Sequence, residues 1–227
     1  MTTYKGINGF AVQSVATDPS PLDEGQVWYN NATYAFKLAG LSTVGTWAAG
    51  GNMGTARSEL AGAGTQTAGL AFGGGTPGNA TEEYNGSAWT SGGNLGTARF
   101  RLAGAGTQTA GLGFGGYQQS PLSISNATEE YDGSAWTSGG NLGTATQFLA
   151  GAGIQTAALA FGGSTPSTTA TTEEYNGTSW SGGGNLGTAR YGIAGCGTQT
   201  SALAFGANGE TATEEFTGIA TQTITVS

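Results

Sequence analysis

Four pairs of adjacent glutamates are the most chemically suggestive residues of this 227-residue chain: Glu82-Glu83, Glu129-Glu130, Glu173-Glu174 and Glu214-Glu215. Paired carboxylates suit a bound cation or acid–base work on a glycosidic bond. Neighbours on an extended strand, however, point to opposite faces, so the two members of one pair cannot chelate together. Each pair also sits in nearly the same word, Thr-Glu-Glu-Tyr or Thr-Glu-Glu-Phe, so nothing sets an acid apart from a base. Three readings stay open. One Glu of each pair meets Arg57, Arg99 or Arg190 while the other is solvated; or one Glu per repeat joins a ring of carboxylates around a cation; or a pair serves a glycosidase. The first needs the fewest special conditions.

Other reactive groups are scarce. There is no histidine, which removes His-based triads and most zinc sites. Asp132, in "YDGSAWTSGG", stands where the other repeats have Asn85 and Asn176, and is read as a turn residue that tolerates positive φ. Cys196 aligns with Ala63, Ala105 and Ala152; its default role is a small buried thiol on an inner strand. A single cysteine excludes an internal disulfide framework. We therefore expect no catalytic residue, no metal ligand, no cofactor and no enzyme.

The elements that hold these residues are set by a repeat. The Asn of Gly-Gly-Asn falls at Asn52, Asn94, Asn141 and Asn185, with periods of 42, 47 and 44. Trp47, Trp89, Trp136 and Trp180 each precede it by 5 residues, and Tyr84, Tyr131 and Tyr175 precede the last three Trp by 5. From the Asn to the Phe of the "LAFGG"-type word is always 20 residues, reaching Phe72, Phe114, Phe161 and Phe205. Only the step from that Phe to the next Tyr, or to Phe216 in the last repeat, varies: 12, 17, 14 and 11. All length change thus sits in one loop per repeat.

"TQTAGLAF" alternates apolar residues with a period of two, and Asn85-Gly86 between short extended runs signals a hairpin. "LAGAG" is small and apolar enough for a crowded inner strand. Four short strands in about 44 residues are the sequence signature of a propeller blade. The expected fold is all-β: a propeller of four repeats (about 50–91, 92–138, 139–182 and 183–227), plus a partial N-terminal blade at 24–49 and an extended arm at 1–23. About five blades result, closed by the terminal "TQTITVS". Trp47, Trp89, Trp136, Trp180, Tyr84, Tyr131, Tyr175 and Phe216 should form the repeated core.

Composition narrows the partners. Charged residues are 9%, with 14 acidic against 6 basic, for a net charge of -8. Six scattered cations make no patch for nucleic acid or an anionic membrane, and no stretch approaches a roughly 20-residue apolar span. "MTTYKGINGF" lacks the apolar core of a signal peptide.

These spacings resemble the kelch repeat. It carries Gly-Gly after the second strand, then Tyr, Trp and a polar turn to Arg, matched here by Gly73-Gly74, Tyr84, Trp89 and Arg99. Gly115-Gly116, Tyr131 and Trp136 follow, with Thr146 replacing the Arg; then Gly162-Gly163, Tyr175, Trp180 and Arg190. The fourth repeat departs from the pattern, with Gly206-Ala207, Phe216 and no Trp. Some kelch-like propellers are copper-radical oxidases, but their metal requires His ligands that this chain lacks.

The start "YKGINGFAVQSVATDPSPLDEGQVWYN" followed by "TEEYNGSAWTSGGNLGTAR" arrays is similar to structural proteins of tailed phages of marine bacteria. That resemblance implies a virion protein of tail, fibre or capsid, made in the host cytoplasm and released by lysis. Its arm would attach to other virion proteins, and host-surface glycans or further copies of the chain are additional expected partners. The alternative is a carbohydrate-binding adsorption module. In either case the variable loops 73–80, 115–126, 162–170 and 206–212 should share one face. The longest brings Tyr117, Gln118, Gln119 and Leu122 to it.

Overall fold

The computed structural model describes residues 3–5, 11–20, 26–38, 47–207 and 209–218. The chain divides into two units, residues 1–49 and 50–227. Both are built from strands, and no helix occurs among the described residues.

The first unit is one sheet of β1 (Thr3–Lys5), β2 (Ala11–Val15), β3 (Val27–Asn30) and β4 (Ala35–Leu38), in that order. β3 and β4 form a hairpin, with Asn30 opposite Ala35 across the turn. β2 and β3, however, run parallel, whereas the repeats are antiparallel meanders. The strands of this unit thus pair differently from those of the repeats, and the division between the two units falls at 49/50. Asp18 organises this unit: its carboxylate accepts from Trp28 Nε1 at 3.0 Å and Asn30 Nδ2 at 2.7 Å, and pairs with Lys37 at 2.7 Å. The Lys37 contact, helped by the two neutral donors, pulls its pKa down to about 2.

The second unit repeats one meander. β5 (Ala61–Thr65), β6 (Ala68–Phe72), β7 (Thr81–Tyr84) and β8 (Trp89–Ser91) form the first repeat sheet. After β9 (Arg99–Phe100), the second consists of β10 (Ala103–Gly106), β11 (Gly111–Phe114), β14 (Thr128–Tyr131) and β15 (Trp136–Ser138). β12 (Tyr117–Gln119) and β13 (Leu122–Ile124) lie in its loop. The third is β16 (Ala150–Ile154), β17 (Ala157–Phe161), β18 (Thr172–Tyr175) and β19 (Trp180–Gly182). The fourth has three strands, β20 (Ala194–Thr198), β21 (Ser201–Ala207) and β22 (Glu210–Thr217). "TQTITVS", expected to close a ring, lies outside the described residues.

The invariant spacings have local causes. A four-residue loop closes β7 onto β8 and places Tyr84 opposite Trp89. Asn85 Oδ1 accepts from the backbone of Ser87 and Ala88, an Asx turn. The same register pairs Tyr131 with Trp136 and Tyr175 with Trp180, with ring centroids 5.0 and 4.9 Å apart. Each first strand is the inner one, packing on the first strand of the next sheet: β5 on β10, β10 on β16, β16 on β20. The Ala-Gly alternation of "AGAG" answers that crowding. A Cβ on Gly104 would lie 2.8 Å from both Gly62 O and Phe72 Cζ.

The core is divided among the three junctions between successive sheets. Phe72 and Leu70 of the first sheet pack with Tyr131 and Trp136 of the second; Phe114 and Leu112 pack with Tyr175 and Trp180 of the third. Phe161 and Leu159 meet Ala202, Ala204 and Phe216 of the fourth. Each fully buried Phe contributes roughly 1.5–3 kcal/mol. Polar bonds repeat at the same places. Trp136 Nε1 donates to Thr81 Oγ1 and Trp180 Nε1 to Thr128 Oγ1, both at 2.9 Å. Gln108, Gln155 and Gln199 each donate Nε2 to two backbone carbonyls of the preceding sheet.

Two core expectations are corrected at the ends of the array. Trp47 is 103% exposed; the residue five positions before it is Ser42, so it has no Tyr to stack on. Cys196 is exposed, not buried, because its sheet is the last and no further sheet covers the strand as others cover Ala105 and Ala152.

Candidate functional site

The glutamates resolve into structural partners. Glu82, Glu129 and Glu214 pair with Arg57, Arg99 and Arg190 at 2.9, 2.8 and 2.7 Å. Their other carboxylate oxygens accept from Gly54, Gly96 and Gly187 N–H at 2.6 Å. Each Arg also donates to carbonyls at both ends of the variable loop of its sheet, as Arg99 does to Gly115 O and Ala127 O. Arg99 is fully buried; burial lowers its pKa while Glu129 holds it up. Thr146 replaces the Arg in the third repeat, and Glu173 accepts from Gly143 and Thr144 N–H instead.

In two of the four pairs the second Glu is not simply solvated, as the first reading had it, while Glu215 of the last repeat is exposed. Glu83 accepts the hydroxyl of Tyr131, and Glu130 that of Tyr175 at 2.5 Å, each from the following sheet. Burial first, and then the neighbouring carboxylate, push both tyrosines up to about 12. In the pairs Glu82-Glu83 and Glu129-Glu130 the two members are thus engaged by different groups, and neither pair forms a shared site. No group of three or more His, Cys, Asp or Glu among the described residues could hold a metal ion.

What differs between repeats converges elsewhere. Immediately before each inner strand, four dipeptides interrupt otherwise matching words: Ser58-Glu59, Phe100-Arg101, Gln147-Phe148 and Tyr191-Gly192. Their second residues all adopt left-handed backbone, with φ of 56° at Glu59, 58° at Arg101, 56° at Phe148 and 64° at Gly192. A ladder joins them across the sheets: Arg101 N to Glu59 O at 2.9 Å, Phe148 N to Arg101 O at 2.9 Å, and Gly192 N to Phe148 O at 3.0 Å. Together with Leu60, Leu102, Leu149 and Ile193 they line a shallow concavity of about 270 Å³.

Arg101 sits at its centre. Its Nε donates to Glu59 Oε1 at 3.0 Å and its Nη1 to Gln147 Oε1 at 3.4 Å. The guanidinium lies 4.4 Å from the Phe148 ring centroid and 4.9 Å from that of Phe100. Tyr191 stacks near Phe148 at 5.8 Å.

The variable loops are tied to these dipeptides. Gly75 N donates to Ser58 O, and Gln147 and Ser164 exchange two backbone hydrogen bonds. β9, which contains Phe100, pairs with β12. The loop residues singled out by length do not line the concavity itself and stand in differing states. Tyr117 packs its ring 5.5 Å from Phe100. Gln118 accepts from Ser123 Oγ at 3.2 Å. Gln119 lies against Gly78 of the neighbouring loop, where an added Cβ would be 2.7 Å from Gln119 Cδ. Leu122 is 72% exposed. Loop length pointed toward this face but not to Glu59, Arg101, Phe148 or Tyr191. The missed signal was variation in residue type at constant spacing.

The face offers ring surfaces, one guanidinium, amides and a single carboxylate already held by Arg101. It has donors, acceptors and stacking area. A comparison with known protein families and with curated protein sequences finds no match.

Proposed function

We propose that the chain is a virion structural protein whose repeats form a kelch-like β-propeller scaffold, presenting the loop-and-dipeptide face for contact with another protein or a host surface. One observation carries this reading: at the internal junctions the repeated polar groups are used inside the frame, while variation between repeats gathers around the dipeptides that precede the first strands. Loops and concavities on a rigid frame are where recognition concentrates. Support for the propeller comes from consecutive four-stranded meanders whose first strands are successive neighbours. The phage setting rests on the resemblance of the N-terminal words. In this reading residues 1–23 attach to other virion proteins as part of the N-terminal unit.

Carbohydrate adsorption is the second reading, favoured by the aromatic rings of Phe100, Tyr117, Phe148 and Tyr191 around Arg101 and Gln147. Sugars stack on such rings and hydrogen-bond to such edges. The test is to trim 115–126 to the length of 73–80 and, separately, to make Arg101→Ala with Phe148→Ala. Folding, incorporation into particles and glycan-array binding are then measured on each. Loss of incorporation with no glycan bound by the parent protein supports the structural reading. Glycan binding that these variants abolish supports adsorption. A folded variant unchanged in both respects removes the face from either role.

A further inference from the structure

The two ends of the repeat array are complementary. Each internal junction joins a leading face, bearing Tyr, Trp and Gln, to a trailing face, bearing Phe, Thr and Glu. Among the described residues no repeat sheet precedes the leading face of the first. Tyr84 is half-buried where Tyr131 and Tyr175 are fully buried, and Gln66 is exposed where Gln108, Gln155 and Gln199 are not. Among the described residues no sheet follows the trailing face of the fourth. Phe205 is 38% exposed, against 0% for Phe72 and Phe114 and 3% for Phe161. Thr213 is exposed where Thr81, Thr128 and Thr172 are buried, and Glu215, the counterpart of Glu83 and Glu130, is exposed as well. Within the chain these ends do not meet as the others do: no contact between β5 and β20 compares with those joining β5, β10, β16 and β20 in succession.

Among the described residues the fourth sheet also shows no outer strand, and its repeat has no Trp equivalent to Trp180. In its place, a cavity of about 50 Å³ lies against Phe161, Thr172, Ala204 and Phe216. These correspond to the residues that hold Trp180: Phe114 at 4.9 Å, Thr128 Oγ1 at 2.9 Å and Tyr175 at 4.9 Å. Trp47 is an exposed Trp without a slot, and it precedes Gly-Gly-Asn by the same 5 residues as the seated ones. In the internal junctions, the strand carrying this Trp leads directly into the following sheet.

We propose that the repeat region docks head to tail on a second copy of the same chain. The leading face of one copy's first sheet seats on the trailing face of the other's fourth, and Trp47 of the first fills the vacant Trp slot of the second. The new junction copies the three internal ones. Tyr84 donates to Glu215, Gln66 reaches the carbonyls of Ala202 and Phe216, and Trp89 packs on Phe205. Such a heterologous contact joins copies into a ring or a filament.

The test is the mass of the full chain in solution by light scattering across a concentration series, with circular dichroism as the folding control. Phe205→Asp and Trp47→Asp alter exposed side chains at opposite ends. The parent chain is expected to associate, and each variant to run as a folded single chain of 22.4 kDa. An equimolar mixture of the two variants retains one intact leading face and one intact trailing face, and should give a two-chain species. A parent that stays single at every concentration overturns the proposal, since its ends then meet within the chain or not at all. Assembly unchanged by Phe205→Asp, or a mixture that remains single-chain, overturns it equally.

Discussion

Arg99 is where the frame is most sharply testable. Its side chain is fully buried, with hydrogen bonds to Gly115 O at 2.8 Å, Ala127 O at 2.7 Å and Glu129 Oε1 at 2.8 Å. Arg99→Met keeps much of the volume and removes all three. Glu129 is then left buried with the Gly96 N–H as its remaining partner. Removing one member of a buried pair costs about 3–5 kcal/mol, because the other charge is stranded. For a chain of this size that lowers Tm by roughly 6–20 °C, at about 2–4 °C per kcal/mol. Adding Glu129→Gln removes the stranded charge and keeps an acceptor for Gly96. The double variant should recover at least about 1 kcal/mol of the loss, a coupling expected of residues in direct contact. Urea denaturation followed by circular dichroism measures all three proteins. The reasoning fails if Arg99→Met unfolds within about 1 kcal/mol of the parent, or if the double variant is no more stable than the single one.

Thr146 is the reciprocal case. The third repeat leaves a small cavity beside Glu173 where the others place a guanidinium, so Thr146→Arg should stabilise by about 1 kcal/mol, read as a higher urea midpoint; a lower midpoint would mean the slot has closed. Tyr131 and Tyr175 titrate near 10 when unfolded and about 12 when folded. Their contribution is therefore complete below pH 10 and lost as pH rises through 12. The urea midpoint should fall over that window, and the double change to Phe should flatten the fall. Gly151→Ala places a Cβ 2.6 Å from Phe114 Cζ and 2.8 Å from Gly104 O, a clash worth about 1–3 kcal/mol. Gly182→Ala meets nothing within 4 Å and should stay within about 0.5 kcal/mol of the parent; equal losses at the two sites would refute the close approach of the inner strands.

Much of the frame was legible because it is local. A spacing of 5 from Tyr to Trp implies a hairpin that sets them opposite each other, and the strand register does so. Alternating Ala and Gly announced crowding before any neighbour was known. Interactions that cross from one sheet to the next were not legible: Tyr131 meets Glu83 across 48 positions, and no pattern inside one repeat encodes that bond. Trp47 and Cys196 show a related limit. Equivalent positions in a repeat imply equivalent burial only where a neighbouring sheet supplies the cover, and these two lie beyond or at the end of the array. The pairing of the N-terminal sheet was not legible for another reason. Its parallel pairing of β2 with β3 joins segments that share no repeated word.

The face proposed for contact was half legible, and the missing half is the more informative. Variation in loop length is visible at once, whereas variation in residue type at fixed spacing looks like noise until the second residues of the four dipeptides are seen to line one concavity. Their backbone distinguishes the two explanations. At all four positions the chain adopts φ near +60°, a conformation that costs a residue with a side chain about 1–2 kcal/mol and glycine almost nothing. The fourth repeat takes the relaxed solution with Gly192. The other three hold Glu59, Arg101 and Phe148 under that strain, in a chain that uses 44 glycines freely elsewhere. Strain held in place by a surrounding ladder of hydrogen bonds belongs to sites that do something. The fold itself would be served as well by glycine, so what these three side chains present to the concavity is the better reason for their being there.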